Sequence, residues 1–421
     1  MTAGWIALLA NRLNSRRLRV HAGFLALCLW GVCLIDYSTP GVLDRAGNIK
    51  FQDFLQFPVS ARLIAGGRAG ELYRAQALTD ALRALAGPDT RVRLQYFYGP
   101  QVALPFIPLL RFSFLTQSSV WVALSMLLYF ACIFLLWKSC GALHPFPGLI
   151  ALCAIAYPPL FHFFVRGQIS AWMLACFTAA YLAFWARRDW LAGIALGFLF
   201  VKPQFLAAVP VVLLLARAWR PLVGLVASVA AQVAFVSIYF GRGVLRAYFA
   251  MLLHSAGRPG TTELDLSPIQ MHSLRSFWAL LIPSSPVVWI LYLASSMAVL
   301  VMAAALWKSS LPLSVRFSSL LLAAVLVNPH LYIYDLLALA PALLLLADWT
   351  RSTPQDDSSP AIRVLLYLSF SLPLFGPVNR WTHLQVSVVA FTALLCLLWR
   401  LSRAAKWSGN RKLAPSESGV V

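Results

Sequence analysis

The chain has 421 residues, of which 60% are hydrophobic and only 11% are charged. Because a soluble domain carries roughly 25% charged residues, this composition excludes a soluble enzyme or binding domain and indicates a polytopic membrane protein. The formal net charge of +20 does not indicate a nucleic-acid partner. The arginines concentrate at the ends of apolar runs, as the positive-inside bias requires, and the sequence contains no soluble basic domain.

The first apolar run, residues 20–35, follows the basic stretch "NRLNSRRLR". It lacks a clear small-residue cleavage site and many apolar runs come after it, so we expect a retained anchor and not a removed leader. Residues 1–17 are then a basic cytoplasmic N-terminus and residues 18–401 a single membrane domain. Residues 402–421 are expected to form a basic, disordered cytoplasmic tail.

A membrane-spanning helix needs about 20 apolar residues, and several stretches approach that length. They are 18–36, 119–137, 148–165, 168–186, 221–240, 286–306, 311–327, 331–347, 361–376 and 386–401. Two further apolar stretches are interrupted, 100–117 by prolines and 191–216 by Lys202-Pro203 at its middle. The sequence therefore predicts an all-α polytopic membrane fold with about 10–12 transmembrane or re-entrant helices.

The side on which each connection lies depends on the two interrupted stretches. If both enter the membrane and return, five connecting segments share the cytoplasmic side with both termini: "WKSCGALHP", "WARRDW", "ARAWRP", "LWKSS" and "DWTRSTPQDD". If both cross, Lys138, Arg187 and Arg188 move outside, which the positive-inside bias disfavours. We favour the re-entrant topology, in which the remaining loops face outward. Their ionisable groups need protein or water around them, so we expect these loops to line one cavity.

The outward loop 37–99 is too long for a bare connector. From Phe51 to Leu85 it is predicted to form amphipathic helices on the membrane surface, because apolar residues recur at helical spacing. These residues are Phe54, Phe57, Ala61 and Ile64. Asp53 lies at the start of the first helix, and it is either a carboxylate that stabilises the helix N-terminus or a functional acid.

Lys202 lies in the apolar stretch "GFLFVKPQFLAAV". A lysine buried there is costly unless it pairs with an anionic group or binds an anion. Pro203 breaks the helix and frees backbone groups, which suits a discontinuous helix directed at a ligand such as phosphate. The alternative is a structural lysine whose ammonium group reaches the membrane interface.

Further polar residues stand at the ends of apolar stretches. Gln168, in "RGQISAW", either hydrogen-bonds sugar hydroxyls or caps the next helix. In "NPHLYIYDLL", His330 and Tyr334 are four residues apart and share a face if a helix has begun. Asp335 enters an apolar span and is a functional candidate or a partner for Lys202. Weaker candidates lie in the loop 241–275: Glu263, Asp265 and His272.

Several familiar motifs are absent from the sequence. The 7 cysteines show no CxxC pair or metal-ligand spacing and are interpreted as small apolar residues. There is no GxxxxGK[ST] phosphate loop, no zinc signature and no GxSxG. We therefore expect no cofactor and assign no metal ligand, while metal dependence stays open, although no cluster of carboxylates demands a metal.

Five stretches occur in a characteristic order between residue 50 and about residue 345: "DFLQFPVSARLIAGGRAGELY", "YFYGPQVALPFIPLL", "RGQISAWMLACF", "LAGIALGFLFVKPQFLAAVPVVLL" and "NPHLYIYDLLAL". Together they resemble the GT-C superfamily of integral membrane glycosyltransferases. Within it they are most similar to the polyprenol-phosphate-mannose-dependent branch, the bacterial relatives of the mycobacterial phosphatidylinositol mannosyltransferases. Some relatives carry histidines where this chain has Tyr334 and Asp335, so His330 is interpreted as a neighbouring substitute.

The resemblance implies a glycosyltransferase of the bacterial plasma membrane, and a single carboxylate acting alone implies direct displacement with inversion at the anomeric carbon. In an outward-facing cavity, mannose or a similar sugar would pass from a polyprenyl-phosphate donor to a lipid or glycan acceptor, among membrane lipids. Asp53 matches the first-loop aspartate that is taken as the catalytic base, and Lys202, Arg166 and His330 would hold the donor phosphate. The residues expected to contact the sugar or the acceptor are Tyr96, Gln168, Gln204, Tyr334 and Asp335.

The opposing hypothesis is a transporter or flippase of a lipid-linked sugar, because broken helices and a lysine at the membrane midplane also suit transport. The sequence has no internal repeat that would favour a carrier, and the long first loop favours the enzyme. A non-catalytic scaffold would leave Lys202 unexplained.

Overall fold

A computed structural model describes residues 2–86, 94–257, 268–353 and 359–411. Over these ranges the chain is helical, and its β-structure is limited to two isolated bridges, Leu43–Ile49 and Met271–Tyr332. Within the same ranges, seven helices are long and apolar enough to cross a membrane, or eight if one bent pair counts as a single span. The all-α, polytopic membrane fold predicted from the sequence is therefore confirmed.

The α-helices of the described ranges are numbered in chain order. They are α1 (Thr2–Arg12), α2 (Ser15–Tyr37), α3 (Gln56–Ala65), α4 (Ala75–Ala86), α5 (Phe114–Lys138), α6 (Pro147–Ala156), α7 (Pro158–Arg166), α8 (Ser170–Trp185), α9 (Asp189–Gly197), α10 (Val209–Leu215), α11 (Trp219–Tyr239), α12 (Arg242–Gly257), α13 (Leu274–Leu281), α14 (Ser285–Trp307), α15 (Leu313–Leu326), α16 (Ala340–Ser352), α17 (Ser359–Ser371), α18 (Asn379–Thr382) and α19 (Val386–Arg411). The longer 3-10 segments are Gln52–Leu55, Pro100–Arg111, Phe198–Val201, Pro203–Ala207, Ile333–Leu339 and Leu372–Val378.

Five predicted spans coincide with one long α-helix each: 18–36, 119–137, 221–240, 286–306 and 386–401. Spans 331–347 and 361–376 reach spanning length only because a 3-10 segment continues into α16 or out of α17. The three exceptions are 148–165, 168–186 and 311–327. The first is bent by 50° between α6 and α7, where two consecutive prolines begin α7 and interrupt the helical hydrogen bonds. The other two are α8 and α15, which have only 16 and 14 residues. Helices this short fall below the length that spans the hydrocarbon layer.

The connections between helices gather at two ends of the bundle. The indole of Trp121, near the start of α5, donates to the carbonyls of Gly167 and Gln168, just before α8, at 3.2 and 3.3 Å. Helices α5 and α8 therefore start together and run in the same direction. At their far end the backbone N–H of Leu143 donates to Asp348 at 3.2 Å. We call this far end the basic end and the opposite one the cavity end.

The interrupted stretch 191–216 forms a hairpin. A Cβ on Gly193 would lie 2.0 Å from the carbonyl oxygen of Pro221, and one on Gly197 would lie 2.4 Å from Cβ of Ser228. Helices α9 and α11 thus run parallel in close contact, and the chain must return between them to the end at which α9 began. Lys202-Pro203 lies at the tip of this hairpin, as the re-entrant topology predicts.

The other interrupted stretch remains at the cavity end. In the segment Pro100–Arg111, Phe106 stacks on Phe57 with ring centroids 4.8 Å apart, and it also contacts Trp121 at 4.7 Å. Prolines inside the segment remove backbone donors and prevent a regular α-helix. Both interrupted stretches therefore return to the end from which they start.

Two features of the outer loops differ from the expectation. Helix α3 does not lie on the surface, because seven of its ten residues are buried against the segment Pro100–Arg111, whereas α4 is amphipathic with Asp80 and Arg83 exposed. The region 241–275 was predicted as a loop, yet α12 and the start of α13 lie within it. Glu263 and Asp265 lie outside the described residues.

The contact between α9 and α11 gives a test of the hairpin. We expect Gly193→Ala to force the two helices apart and to lower the free energy of unfolding by about 1–3 kcal/mol. The matched control is Gly31→Ala on α2, where no heavy atom lies within 4 Å of the added Cβ. The measurement is the thermal unfolding midpoint of the purified protein in detergent. Equal midpoints for the two variants would contradict the close packing.

Candidate functional site

A cavity of about 1270 Å³ opens at the cavity end. It brings together eight of the nine residues predicted for the site: Asp53, Arg166, Gln168, Lys202, Gln204, His330, Tyr334 and Asp335. The hairpin tip and the ends of the short helices α8 and α15 adjoin the cavity. Both helices are shorter than a full membrane crossing requires.

Asp53 lies in a 3-10 turn, Gln52–Leu55, before α3, and it does not cap a helix. Its carboxylate is held by residues far away in the sequence instead. The side-chain amide of Gln168 donates to Oδ2 at 2.9 Å, and Nη1 of Arg166 lies 3.5 Å from Oδ1. The Asp53 side chain remains 23% exposed, so the carboxylate is oriented by the protein and still reaches the cavity.

Gly167 explains why Arg166 and Gln168 both reach Asp53. Its φ of +68° is in the left-handed region, and a Cβ there would lie 2.9 Å from Cβ of Phe54. Glycine adopts this conformation without steric cost, and the resulting turn ends α7 close to the segment that carries Asp53. The sequence "RGQ" therefore forms the support for the carboxylate.

Tyr98 extends this support and was not predicted. Its hydroxyl donates to the side-chain oxygen of Gln168 at 2.8 Å, which fixes the amide so that its NH2 group points to Asp53. Burial raises the pKa of Tyr98 well above its ordinary value, and the nearby carboxylates of Asp335 and Asp53 add to this effect. The phenol therefore stays protonated and remains a donor.

Lys202 and Asp335 form a buried ion pair through Nζ and Oδ1. Their side chains are 5% and 0% exposed, and the hydroxyl of Ser170 donates to the same carboxylate oxygen at 2.7 Å. The ammonium group also lies over the rings of Tyr334 and Tyr98, at 5.2 and 5.8 Å from their centroids. Of the two roles proposed for Asp335, the pairing with Lys202 is therefore observed.

Tyr98 connects the two charged pairs, because its hydroxyl bonds Gln168 beside Asp53 while its ring faces Lys202. The cavity lining carries three cationic side chains, Arg166, Lys202 and Arg380, against two carboxylates. Among the described residues, Arg380 forms no ion pair with a carboxylate, and it is exposed at the cavity mouth. The site therefore combines an accessible carboxylate with an excess of positive charge.

The late segment is arranged differently from the expectation. His330 and Tyr334 do not share a helical face, because no helix has begun there, and Ile333–Leu339 is a 3-10 segment. Nη1 of Arg275 donates to Nε2 of His330 at 3.1 Å, and the guanidinium group stacks over Trp289 at 4.7 Å. His330 still lines the cavity, and the half-buried guanidinium group of Arg275 lies behind it.

Tyr96 is the predicted site residue that does not line the cavity. It is buried at 1% exposure, its hydroxyl donates to the Gly99 carbonyl at 3.3 Å, and its ring packs against Tyr73 and Tyr98. Tyr98 takes the cavity-facing position instead.

His272 contributes to the cavity wall as a neutral group. Burial, followed by the neighbouring His162, lowers its pKa to about 3. Its Nδ1 lies 2.8 Å from the hydroxyl of Ser387, and its backbone N–H donates to the Leu331 carbonyl at 2.8 Å. The described ranges contain no group of three His, Cys, Asp or Glu side chains arranged to hold a metal ion.

The fold and the cavity define a polytopic membrane protein with a polar, charge-paired site among its short helices. The chain belongs to glycosyltransferase family 87, a GT-C-like family of membrane glycosyltransferases, whose model matches residues 96–329, more than half of the sequence. The matched region includes Arg166, Gln168, Lys202 and Gln204, whereas Asp53 and Asp335 lie outside it. No curated protein and no solved structure matches the chain. The protein is therefore a membrane glycosyltransferase.

The buried pair predicts strong coupling between its two members. Lys202→Met or Asp335→Leu alone leaves an uncompensated buried charge, and we expect each to cost about 3–5 kcal/mol of stability. The double variant removes both charges and should cost much less than the sum. A double-mutant cycle on unfolding free energies measures this coupling.

The exposed pair Arg68–Glu71, with contacts of 2.6 Å, is the matched control, because solvent-exposed pairs contribute about 0–1 kcal/mol. A coupling energy for Lys202 and Asp335 no larger than that of this control would contradict the assignment of the buried pair.

Proposed function

We propose that this glycosyltransferase uses a polyprenyl-phosphate sugar as its donor and transfers the sugar to an acceptor hydroxyl with inversion at the anomeric carbon. Asp53 is the catalytic base. Mannose is the sugar implied by the resemblance to the polyprenol-phosphate-mannose-dependent branch. The observation that carries this proposal is the position of the Asp53 carboxylate in the same cavity as Lys202, Arg166 and Arg380.

Two carboxylates line the described part of the cavity, but they have different environments. Asp335 is fully buried and paired with Lys202, so it cannot reach an anomeric carbon as a nucleophile. Asp53 is accessible and oriented by Gln168. A retaining mechanism uses a pair of carboxyl groups, whereas one working base suits direct displacement and inversion. The arrangement therefore supports an inverting transfer.

The proposed step moves one proton and one glycosyl group. Asp53 accepts the proton of the acceptor hydroxyl while that oxygen forms a bond to the anomeric carbon. The bond from this carbon to the phosphate oxygen breaks, and its electron pair leaves with the polyprenyl phosphate. The additional negative charge on the phosphate is stabilised by cations already fixed in the cavity.

The cations differ in their readiness to bind this phosphate. Lys202 is already neutralised by Asp335, so it would form the base of the phosphate site without moving. Arg166 is 41% exposed and lies 3.5 Å from Asp53, so it can turn toward an incoming phosphate. Arg380 lies at the mouth, and His330 lines the same cavity. We assign the donor phosphate to the side of the cavity that these cations line, and the sugar to Gln204 and Tyr334.

The membrane orientation rests on the positions of the basic residues. The connections at the basic end carry Lys138, Arg187, Arg188 and Arg217, and the positive-inside bias favours a cytoplasmic location for them. The cavity then opens on the periplasmic side of a bacterial plasma membrane. A donor that arrives through the lipid phase reaches such a cavity without a nucleotide-binding domain.

Transport of a lipid-linked sugar remains the competing function, because Lys202-Pro203 interrupts a membrane hairpin beside a cavity. Membership of a glycosyltransferase family favours the enzyme. The two functions differ in a direct observable, since a carrier leaves the donor's glycosidic bond intact.

The base assignment predicts the behaviour of Asp53→Asn. The amide keeps the shape of the side chain but accepts no proton, so kcat should fall by about 10²–10⁴-fold while the donor KM changes little. The assay uses purified protein with a panel of labelled polyprenyl-phosphate sugars and a bacterial membrane lipid extract as the source of acceptor, and it measures released polyprenyl phosphate.

Asp80→Asn is the matched control, because Asp80 is an exposed acid on α4 outside the cavity, and it should keep wild-type turnover. Equal unfolding temperatures exclude a folding defect. Wild-type turnover by Asp53→Asn would refute its role as the base. No release from any donor by the wild-type protein would refute the donor class.

A further inference from the structure

The protein has a second cavity, which we call the lipid cleft, with a volume of about 1040 Å³. It runs between α2 on one side and α16 and α17 on the other, with α1 across its basic end. Helix α2 is bridged to α17 by a contact of 3.2 Å between His21 Nδ1 and the Tyr367 hydroxyl. The lining is otherwise dominated by leucine, alanine and aromatic side chains.

An apolar gap of this size between membrane helices is filled by hydrocarbon and not by water. Water in such a gap would find too few polar partners, and an empty gap would forfeit the dispersion contacts of its walls. Only 11% of the apolar window in α2 is buried by protein, so the helix keeps most of its surface for lipid. The cleft is therefore open to acyl chains from the membrane.

The charge of the cleft is confined to one end. Arg351 and Arg363 line its basic end together with the amide of Asn11, and no acidic residue occurs among the described residues of the lining. Arg351 stacks over Phe146 at 4.3 Å, which holds its guanidinium group at the mouth. Two arginines above an apolar cleft match a phosphate group above hydrocarbon chains.

The other end of the cleft is apolar and closed by the stacked rings of Tyr157 and Phe370, 5.5 Å apart. Leu374 lies between the two cavities and contributes to both linings. A polyprenyl chain entering from the catalytic cavity would use only this apolar end and would leave the arginines without an anion. The position of the positive charge favours a lipid whose head group lies at the basic end.

We propose that the lipid cleft binds one anionic glycerophospholipid, with its phosphate at Arg351 and Arg363 and its acyl chains between α2 and α17. The bound lipid fills the gap between α2 and the rest of the bundle and so stabilises the folded protein. The arginine end of the cleft lies at the opposite end of the bundle from the catalytic cavity, and the proposal does not depend on the donor or on the catalytic base.

The test compares thermal unfolding of the full chain in mixed micelles with phosphatidylglycerol or with phosphatidylcholine as the probe. Native mass spectrometry counts the lipids that remain after delipidation. We expect phosphatidylglycerol to raise the unfolding temperature more than phosphatidylcholine and one anionic lipid to be retained. Arg351→Gln with Arg363→Gln should abolish the difference between the two lipids, and Ala347→Phe, which fills the cleft, should abolish retention.

The control is the double variant Arg400→Gln with Arg403→Gln, which removes two exposed positive charges from α19 outside the cleft and should keep the preference. Equal stabilisation by both lipids in the wild-type protein would overturn the proposal. So would an anionic preference that survives in the Arg351 and Arg363 variant, or retention that survives Ala347→Phe. If Ala347→Phe raises the donor KM and leaves phosphatidylglycerol binding intact, the occupant is the polyprenyl chain and the proposal is wrong.

Discussion

The buried ion pair between Lys202 and Asp335 is the interaction on which the architecture of the site depends. Removing two charges from water is costly, and their attraction offsets that cost only with good geometry and further hydrogen bonds. Here Ser170 supplies the additional hydrogen bond, at 2.7 Å, and two tyrosine rings flank the ammonium group. The pair joins the tip of the hairpin to the segment Ile333–Leu339, which carries Asp335. Ser170 adds the start of α8, so three separate elements meet at the cavity floor.

The short helices and the broken helices of this fold together form the cavity. Helices α8, α9 and α15 end before the hydrocarbon layer would be crossed, and their ends surround the cavity. Non-helical backbone is tolerated at membrane depth where protein or a water-filled cavity surrounds it, and Lys202-Pro203 meets this condition. The same polar surroundings allow the half-buried carboxylate of Asp53 to be held by Gln168 and Arg166 close to the buried pair. Tyr98 links the two, so Asp53 and the Lys202–Asp335 pair belong to one hydrogen-bonded and aromatic unit.

Much of this arrangement could be predicted from the sequence, because a charged residue in an apolar stretch is costly and needs a reason. That reasoning found Lys202 and its partner Asp335, and the basic connections predicted the hairpin. It could not find Tyr98, since its role depends on Gln168, 70 residues away, and Tyr96 in the same motif has equal chemistry but faces the core. The burial of α3 was missed because its amphipathic pattern fits a protein surface as well as a membrane surface. Arg380 and Arg275 were missed because single arginines near span ends usually report only topology.

The central claim is that one accessible carboxylate acts alone as a base in a cavity whose second carboxylate is locked in an ion pair. The stereochemistry of the transfer tests it most directly. The measurement is the anomeric configuration of the first product formed by the purified protein from a polyprenyl-phosphate sugar of defined configuration, read by proton NMR. The account predicts a product of inverted configuration. A product with the configuration of the donor would require a second working nucleophile and would contradict it.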